Sequence, residues 1–214
     1  RTKLGDLTTQ FPGITFFFGG EDEDTQESMA SLGRAFLIAV IVIFLILILT
    51  FRTLLQPLVV LITIPLGLIS VVFTFWLHGM PMSFLGMVGM VGLSGIIVNN
   101  AIVFVEFVNE ARRDGHDRYK SIFLAAQQRA RPIFLTTITT VIGLMPTAYG
   151  LGGFDKFAVP IAMSMGWGLM IGSILTLFFL PAALSILDDV ADLGDRILAR
   201  VKRTREISPS NDQI

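Results

Sequence analysis

Four stretches of this chain carry no Asp, Glu, Lys or Arg: Ala35 to Phe51, Thr53 to Val105, Pro132 to Phe154 and Phe157 to Leu187. A helix needs about 20 apolar residues to cross a bilayer. The second stretch, broken by His78-Gly79-Met80-Pro81, has room for two crossings. Hydrophobic residues make up 53% of the 214, charged residues 15%, and the mean hydropathy is +0.72, which excludes an ordinary soluble domain. The pattern predicts an all-α polytopic membrane protein with five spans. They run over about Leu32 to Phe51, Leu58 to Leu77, Phe84 to Val108, Ile133 to Tyr149, and Phe157 to Leu187 with a turn near Pro181.

An odd number of spans puts the two ends on opposite sides, and the excess of Lys and Arg marks the cytoplasmic one. Arg52, the loop residues Arg112, Arg113, Arg118, Lys120, Arg129 and Arg131, and the tail residues Arg196, Arg200, Lys202, Arg203 and Arg205 share one side. Arg1, Lys3, Arg34 and Lys156 share the other. The C-terminus is therefore expected in the cytoplasm and the N-terminal end outside it. The net charge of -1 conceals this asymmetry and implies no nucleic-acid partner. Cysteine is absent, which removes disulfides, thiolate metal sites and a cysteine nucleophile from consideration.

The chain opens on Arg1-Thr2-Lys3, which predicts a piece of a longer protein cut inside an exterior domain. Ile14 to Phe18, between Pro12-Gly13 and Gly19-Gly20, reads as the last strand of that domain, leaving a short α/β remnant over residues 1–28. The acidic run Glu21 to Asp24 leads into a helix that Asp24 or Thr25 is placed to cap. The bundle itself covers 29–187. Within it, Tyr119, Ile122, Phe123, Ala126 and Ala130 fall on one helical face behind Asp117 as N-cap. With basic neighbours, this predicts an amphipathic helix over about 117–130 on the inner membrane surface, a calmodulin-type target being the remote alternative. Residues 188–214 read as a cytoplasmic tail that ends in disorder.

Candidate functional residues are few. Gly86, Gly89, Gly92 and Gly95 recur every third residue and suit close helix packing, which in lipid depends on small residues. Gly92-Leu93-Ser94-Gly95 spells the serine motif of rhomboid intramembrane proteases, but neither His78 nor His116 is placed to serve as its base. Methionines at 80, 82, 87, 90, 163, 165 and 170 suit Cu(I) or Ag(I), yet lack His or carboxylate companions at depth. Asn99 and Asn100 are more telling, because an amide inside the hydrocarbon layer marks either helix association or a functional path. Counted inward from the helix ends, they lie at a depth similar to Thr136 and Thr137, with Arg129 and Arg131 at the cytoplasmic mouth.

Several blocks in register carry a resemblance: Phe18-Gly19-Gly20-Glu21, Gln26-Glu27-Ser28, Phe51-Arg52-Thr53-Leu54-Leu55-Gln56-Pro57, Ile64-Pro65-Leu66-Gly67, Gly95 to Val103 around Asn99-Asn100, Arg129-Ala130-Arg131-Pro132-Ile133 with Thr136-Thr137, and Gly143-Leu144-Met145-Pro146. Over nearly its whole length the chain resembles the second membrane half of resistance-nodulation-division (RND) efflux pumps of the AcrB and MexB kind. The resemblance implies a homotrimeric proton/substrate antiporter of the bacterial inner membrane. It would need no cofactor beyond the proton gradient, and would pass drugs or other small amphipathic molecules to a periplasmic adaptor and an outer-membrane channel. It also implies that two aspartates of an absent fourth span take up protons, answered by a lysine, an arginine and a threonine of later spans. By motif Arg129 matches the arginine, Thr136 the threonine and Asn100 the asparagine after the lysine, whereas Asn99 replaces the lysine itself. The expected proton-relay set is thus Asn99, Asn100, Arg129 and Thr136. Other readings are a Cu/Ag or lipid exporter of the same superfamily, a SecD/SecF-like translocation subunit, and a purely structural membrane module.

Overall fold

The computed structural model describes residues 21–207, and side chains for residues 25–191. The expected strand Ile14 to Phe18 lies outside the described residues. Five helices follow in order: α1 Glu21–Phe51, α2 Leu55–Leu77, α3 Phe84–Arg113, α4 Arg118–Ala148 and α5 Ala158–Ile207. The chain divides into two units, Arg1–Ile38 and Ala39–Ile214. The second holds α2 to α5 and α1 from Ala39 onward.

Local chemistry sets the helix ends. Ser83 caps α3, its Oγ accepting the Gly86 N–H at 3.1 Å, and Asp155 Oδ1 accepts the Phe157 N–H at 2.8 Å just ahead of α5. α2, α3 and α4 close with one motif, in which a left-handed glycine reverses the chain. After α2, Gly79 (φ 62) donates to Trp76 O and Met80 to Phe75 O; after α3, Gly115 (φ 85) donates to Arg112 O and His116 to Ala111 O; Gly150 and Leu151 repeat the pattern after α4. Each reversal satisfies carbonyls that the helix leaves open.

α5 is the hub, packing along α2, α3 and α4, while α3 also packs on α2 and α4. Val71, Phe75, Leu93, Ile97 and Leu169 form the central apolar cluster. The polarity of the bundle is inverted relative to a soluble protein. Thr63, Ser70, Thr74, Ser94, Ser164 and Ser173 are buried, whereas Leu49, Trp76, Phe134, Ile142 and Phe178 are exposed. Small hydroxyls inside and large apolar groups outside suit a hydrocarbon solvent, where association depends on close contact and hydrogen bonds.

Among the described residues, four helices are long and apolar enough to cross a membrane: Thr25–Phe51, Leu55–Leu77, Phe84–Arg113 and Ala158–Ala191. α4 is not among them, because Arg118, Lys120, Arg129 and Arg131 occupy its first half and five threonines, at 136, 137, 139, 140 and 147, dilute its second. Three boundaries differ from expectation. The amphipathic segment at 117–130 is no separate element, since α4 runs unbroken through Pro132. Its apolar residues divide, Ile122 and Ala125 being buried against the bundle while Tyr119 and Phe123 stay exposed. α5 likewise passes through Pro181 without a turn. A proline removes one backbone bond, and packing on neighbouring helices holds the rest. Finally, α1 already begins at Glu21, so Asp24 and Thr25 lie inside it rather than at its cap. Asp117 does take the N-cap position of α4, but its side chain makes no capping bond.

Candidate functional site

The polar groups of the bundle fall into three layers. At the end nearer the α2–α3 turn, His78 Nδ1 lies 2.8 Å from Thr74 O and Nε2 lies 3.3 Å from the Tyr149 hydroxyl, which also accepts from Trp167 Nε1 at 3.0 Å. At the opposite end, Gln56 and Asn109 exchange two amide bonds of 2.8 and 2.9 Å. There Arg112 also pairs with Asp188, and the Tyr119 hydroxyl donates to Asp189 at 2.9 Å. Between these ends, hydroxyls tie α5 to its neighbours. Ser70 donates to Gly168 O at 2.9 Å, Ser164 to Gly86 O at 2.8 Å and Thr137 to Ser173 Oγ at 3.0 Å.

The two asparagines occupy different surroundings. Asn100 is half-buried and lines a small hollow with Ile97, Phe104, Ile133, Ser173 and Thr176 of α3, α4 and α5. Asn99 is exposed and lines a separate hollow of about 220 Å³, against Ile43, Ile46 and Leu47 of α1. Neighbouring positions on a helix diverge by about 100°, which separates the pair. Neither amide hydrogen-bonds to another group among the described residues. Thr136 is exposed and shares its hydroxyl between Pro132 O and Ile133 O, both at 3.0 Å. Arg129 is half-buried, with its guanidinium 4.4 Å from the centre of the Phe107 ring and its Nε without a partner. A cation over an aromatic face in a dry setting gains from the ring quadrupole while keeping its N–H donors for another acceptor. Phe107 lies two helical turns from Asn100, about 10 Å along α3. Asn100 and Arg129 therefore share the α3–α4 seam at different depths, Thr136 stands on the outer surface of α4, and Asn99 turns to α1.

The glycines divide too. A Cβ on Gly86 would meet the Phe75 ring at 2.7 Å, and on Gly89 would meet Ser164 Cβ at 2.8 Å and Ile161 O at 3.1 Å. At Gly92 the nearest atom is the Met165 methyl at 3.8 Å, and at Gly95 nothing lies within 4 Å. The serine of the protease-like motif, Ser94, donates to Met90 O at 2.9 Å. Among the described residues no three His, Cys, Asp or Glu side chains gather to hold a metal. The methionines serve as packing, Met80 and Met163 meeting Ala148 and Ala162 in one apolar cluster.

The ion pair and the amide bridge have no signature in the sequence beyond the placing of Arg112, Gln56, Asn109 and Asp188 near the ends of apolar runs. Arg112 and Asp188 are only 26% and 15% exposed. Removing one partner strands a charge, so Asp188→Ala is expected to lower thermal stability by about 1–3 kcal/mol. Arg112→Asp combined with Asp188→Arg should recover part of that loss. Melting curves of the detergent-solubilised protein measure both.

Residues 5–188 match the AcrB/AcrD/AcrF family. The swarming motility protein SwrC of Bacillus subtilis (strain 168) is 32% identical over 170 residues, covering 79% of this chain and 16% of that protein. An uncharacterized transporter of Haemophilus influenzae (strain ATCC 51907 / DSM 11121 / KW20 / Rd) is 34% identical over 182 residues, covering 81% of this chain and 17% of that protein. Among solved structures, a heavy metal efflux pump in two crystal forms superposes with a TM-score of 0.68 at 25% identity, over 88% of this chain and 19% of the pump. The chain thus spans less than a fifth of each of these relatives. With its apolar helices of membrane length, its inverted polarity and a match along nearly its whole described length, the chain is a multi-pass membrane protein of the AcrB/AcrD/AcrF family of RND transporters.

Proposed function

We propose that this chain forms the second membrane half of a proton-driven antiporter that exports small amphipathic compounds, drugs among them, from the bacterial inner membrane. The observation that carries this reading is the α3–α4 seam. It holds a half-buried amide, Asn100, and a half-buried cation, Arg129, about two helical turns apart along one seam, both with donors left over. Donors held in a low-dielectric seam suit a carboxylate that changes charge, because its ionised form is stabilised there and its protonated form is not. In the full transporter those carboxylates belong to the other membrane half. Arg129 takes the larger share of the counter-charge, because Asn99 is neutral and faces α1. Trimer formation, the adaptor and the outer-membrane channel belong to the same reading. The direct test is the full-length transporter in vesicles with an imposed pH gradient. Export that runs only while the gradient stands and stops with a protonophore supports antiport, and export unaffected by collapsing the gradient refutes it.

The topology that goes with this reading makes α4 a span as well, the fourth of five. Pro132 to Ala148 extends about 25 Å, enough to cross most of a hydrocarbon layer of about 30 Å. Thr136 and Thr139 bond their own backbone, which lowers the cost of their hydroxyls in lipid. The loop after α3 and the segment after Asp188 then face the cytoplasm, and the turn between α4 and α5 faces outward. His116 is exposed in the first, and Gly152 has open space around its Cα in the second. On a cysteine-free background, a membrane-impermeant thiol reagent applied to intact cells should label Gly152→Cys and spare His116→Cys. The opposite pattern reverses the topology.

A second reading, export of heavy-metal ions, is favoured by the solved pump that superposes on this chain. Deleting the full-length gene and comparing sensitivity to copper, silver and zinc with sensitivity to dyes separates the two substrates.

A further inference from the structure

Between α4 and α5 runs a groove of about 560 Å³ that contains none of the proposed relay residues, although Ile133 and Ser173 line both it and the hollow of Asn100. Phe134, Ile138 and Ile142 form one wall, and Met170, Ile174 and Phe178 the other. Thr137 and Ser173 also line it, but they are buried and bonded to each other at 3.0 Å, so the groove offers a ligand no hydrogen bond. Its aromatic and branched walls are exposed, Phe178 at 76% and Ile142 at 65%. An apolar slot in the membrane-spanning part of a bundle takes hydrocarbon.

Three features of the groove identify which hydrocarbon. From Ile133 to Ile142 it runs about 14 Å along α4, close to half of a hydrocarbon layer of about 30 Å, the depth of one leaflet. At its basic end stands Arg131, exposed and on the same helical stripe as Phe134, Ile138 and Ile142. Arg131 pairs with no carboxylate among the described residues. Thr136, on the face assigned to the relay, lies about 160° around α4 from Ile138, so a protein segment docked at the relay need not enter the groove.

We infer that the groove holds one acyl chain of an anionic phospholipid of the cytoplasmic leaflet, with Arg131 binding the phosphate of its headgroup. The inference rests on α4 crossing the membrane, and not on what is exported. Basic positions beside interhelical grooves on the cytoplasmic side suit such headgroups, and a guanidinium meets a phosphate with two parallel hydrogen bonds.

The test uses the full-length transporter in vesicles of phosphatidylethanolamine and phosphatidylglycerol. A photoreactive benzoylphenylalanine replaces Ile138, with Ile62 on the exposed face of α2 as the reference site. Mass spectrometry of the adducts should show phosphatidylglycerol enriched at position 138 over position 62. Arg131→Gln should lower that enrichment about fivefold, and Arg131→Lys should keep most of it. Cross-links from position 138 to a peptide of the transporter would mean that protein fills the groove and would overturn the inference. So would lipid adducts that mirror the vesicle composition with and without Arg131.

Discussion

Gly89→Ala is expected to lower both membrane abundance and thermal stability of the full-length transporter, while Gly95→Ala leaves abundance unchanged and raises stability slightly. The same chemical change acts in opposite directions because of what each Cβ meets. At Gly89 it would lie 2.8 Å from Ser164 Cβ, 3.1 Å from Ile161 O and 3.2 Å from Ile161 Cα. Two of these atoms are backbone, so no rotamer change relieves the overlap and α3 must move away from α5. That movement also stretches the bond from Ser164 to Gly86 O, 2.8 Å long and one turn away. Overpacking of this kind costs about 1–3 kcal/mol, and the weakened bond adds to it. At Gly95 nothing lies within 4 Å, so alanine gains the helix preference of up to about 1 kcal/mol without a clash. Fluorescence-detected size exclusion after heating ranks the two variants against wild type. Equal melting of both would remove the case for a tight α3–α5 contact.

Sequence spacing alone does not tell which of these glycines a neighbour touches. On a helix of about 3.6 residues per turn a three-residue repeat drifts by about 60° per step, so the four glycines wind around α3 and Gly95 lies about 120° from Gly89. Which of them meets another helix depends on how the helices cross. Long charge-free runs revealed the apolar helices for a comparable reason, because burying backbone in hydrocarbon leaves the helix as the only open structure. Proline misled at 181, where the expected turn is absent. Its local rule, one lost hydrogen bond and one clash, is correct, but the packing of α4 and α5 on their neighbours outweighs it. The amphipathic segment at 117–130 is likewise no separate element but the first part of α4, which runs on through Pro132.

The candidate site was legible in depth and not in direction. Counting residues inward from the ends placed Asn99, Asn100 and Thr136 near one level. A level is a ring, however, and the helices around it decide which arc each side chain faces. The structure turns Asn99 to α1, sets Asn100 between α3, α4 and α5, and leaves Thr136 on the outer face of α4. Arg129 illustrates a partner that no motif announces, the Phe107 ring at 4.4 Å. Gln56 and Asn109, or Tyr119 and Asp189, are pairs of polar residues far apart in sequence, and only the antiparallel packing of their helices brings them together.

That division of the asparagines yields the sharpest expectation for the proposed relay. In the full-length transporter, Asn100→Ala and Arg129→Ala should each cut proton-driven efflux by tenfold or more at normal membrane abundance, whereas Asn99→Ala should have a much smaller effect. An amide or guanidinium bonded to a buried carboxylate contributes on the order of 1–3 kcal/mol, or about tenfold for each 1.4 kcal/mol. Asn99 lacks that leverage, because it faces the hollow beside α1. Thr136→Ala should also reduce efflux strongly, since its hydroxyl is exposed on α4 and, in the proposed relay, answers a carboxylate of the other membrane half, and Thr136→Ser should restore it. Asn99→Lys should be tolerated better than Asn99→Leu, because the long stem lets an ammonium reach around α3 toward the seam, and leucine offers nothing polar. Arg129→Lys separates charge from shape. The cation survives, but the planar stack on Phe107 and the forked donors do not, so efflux should fall between that of wild type and Arg129→Ala. Dye efflux from energised cells, normalised to transporter abundance, measures the whole series. Near wild-type rates in both Asn100→Ala and Arg129→Ala would return these residues to helix packing, and a larger loss at Asn99 than at Asn100 would move the proton path to the α1 side of α3.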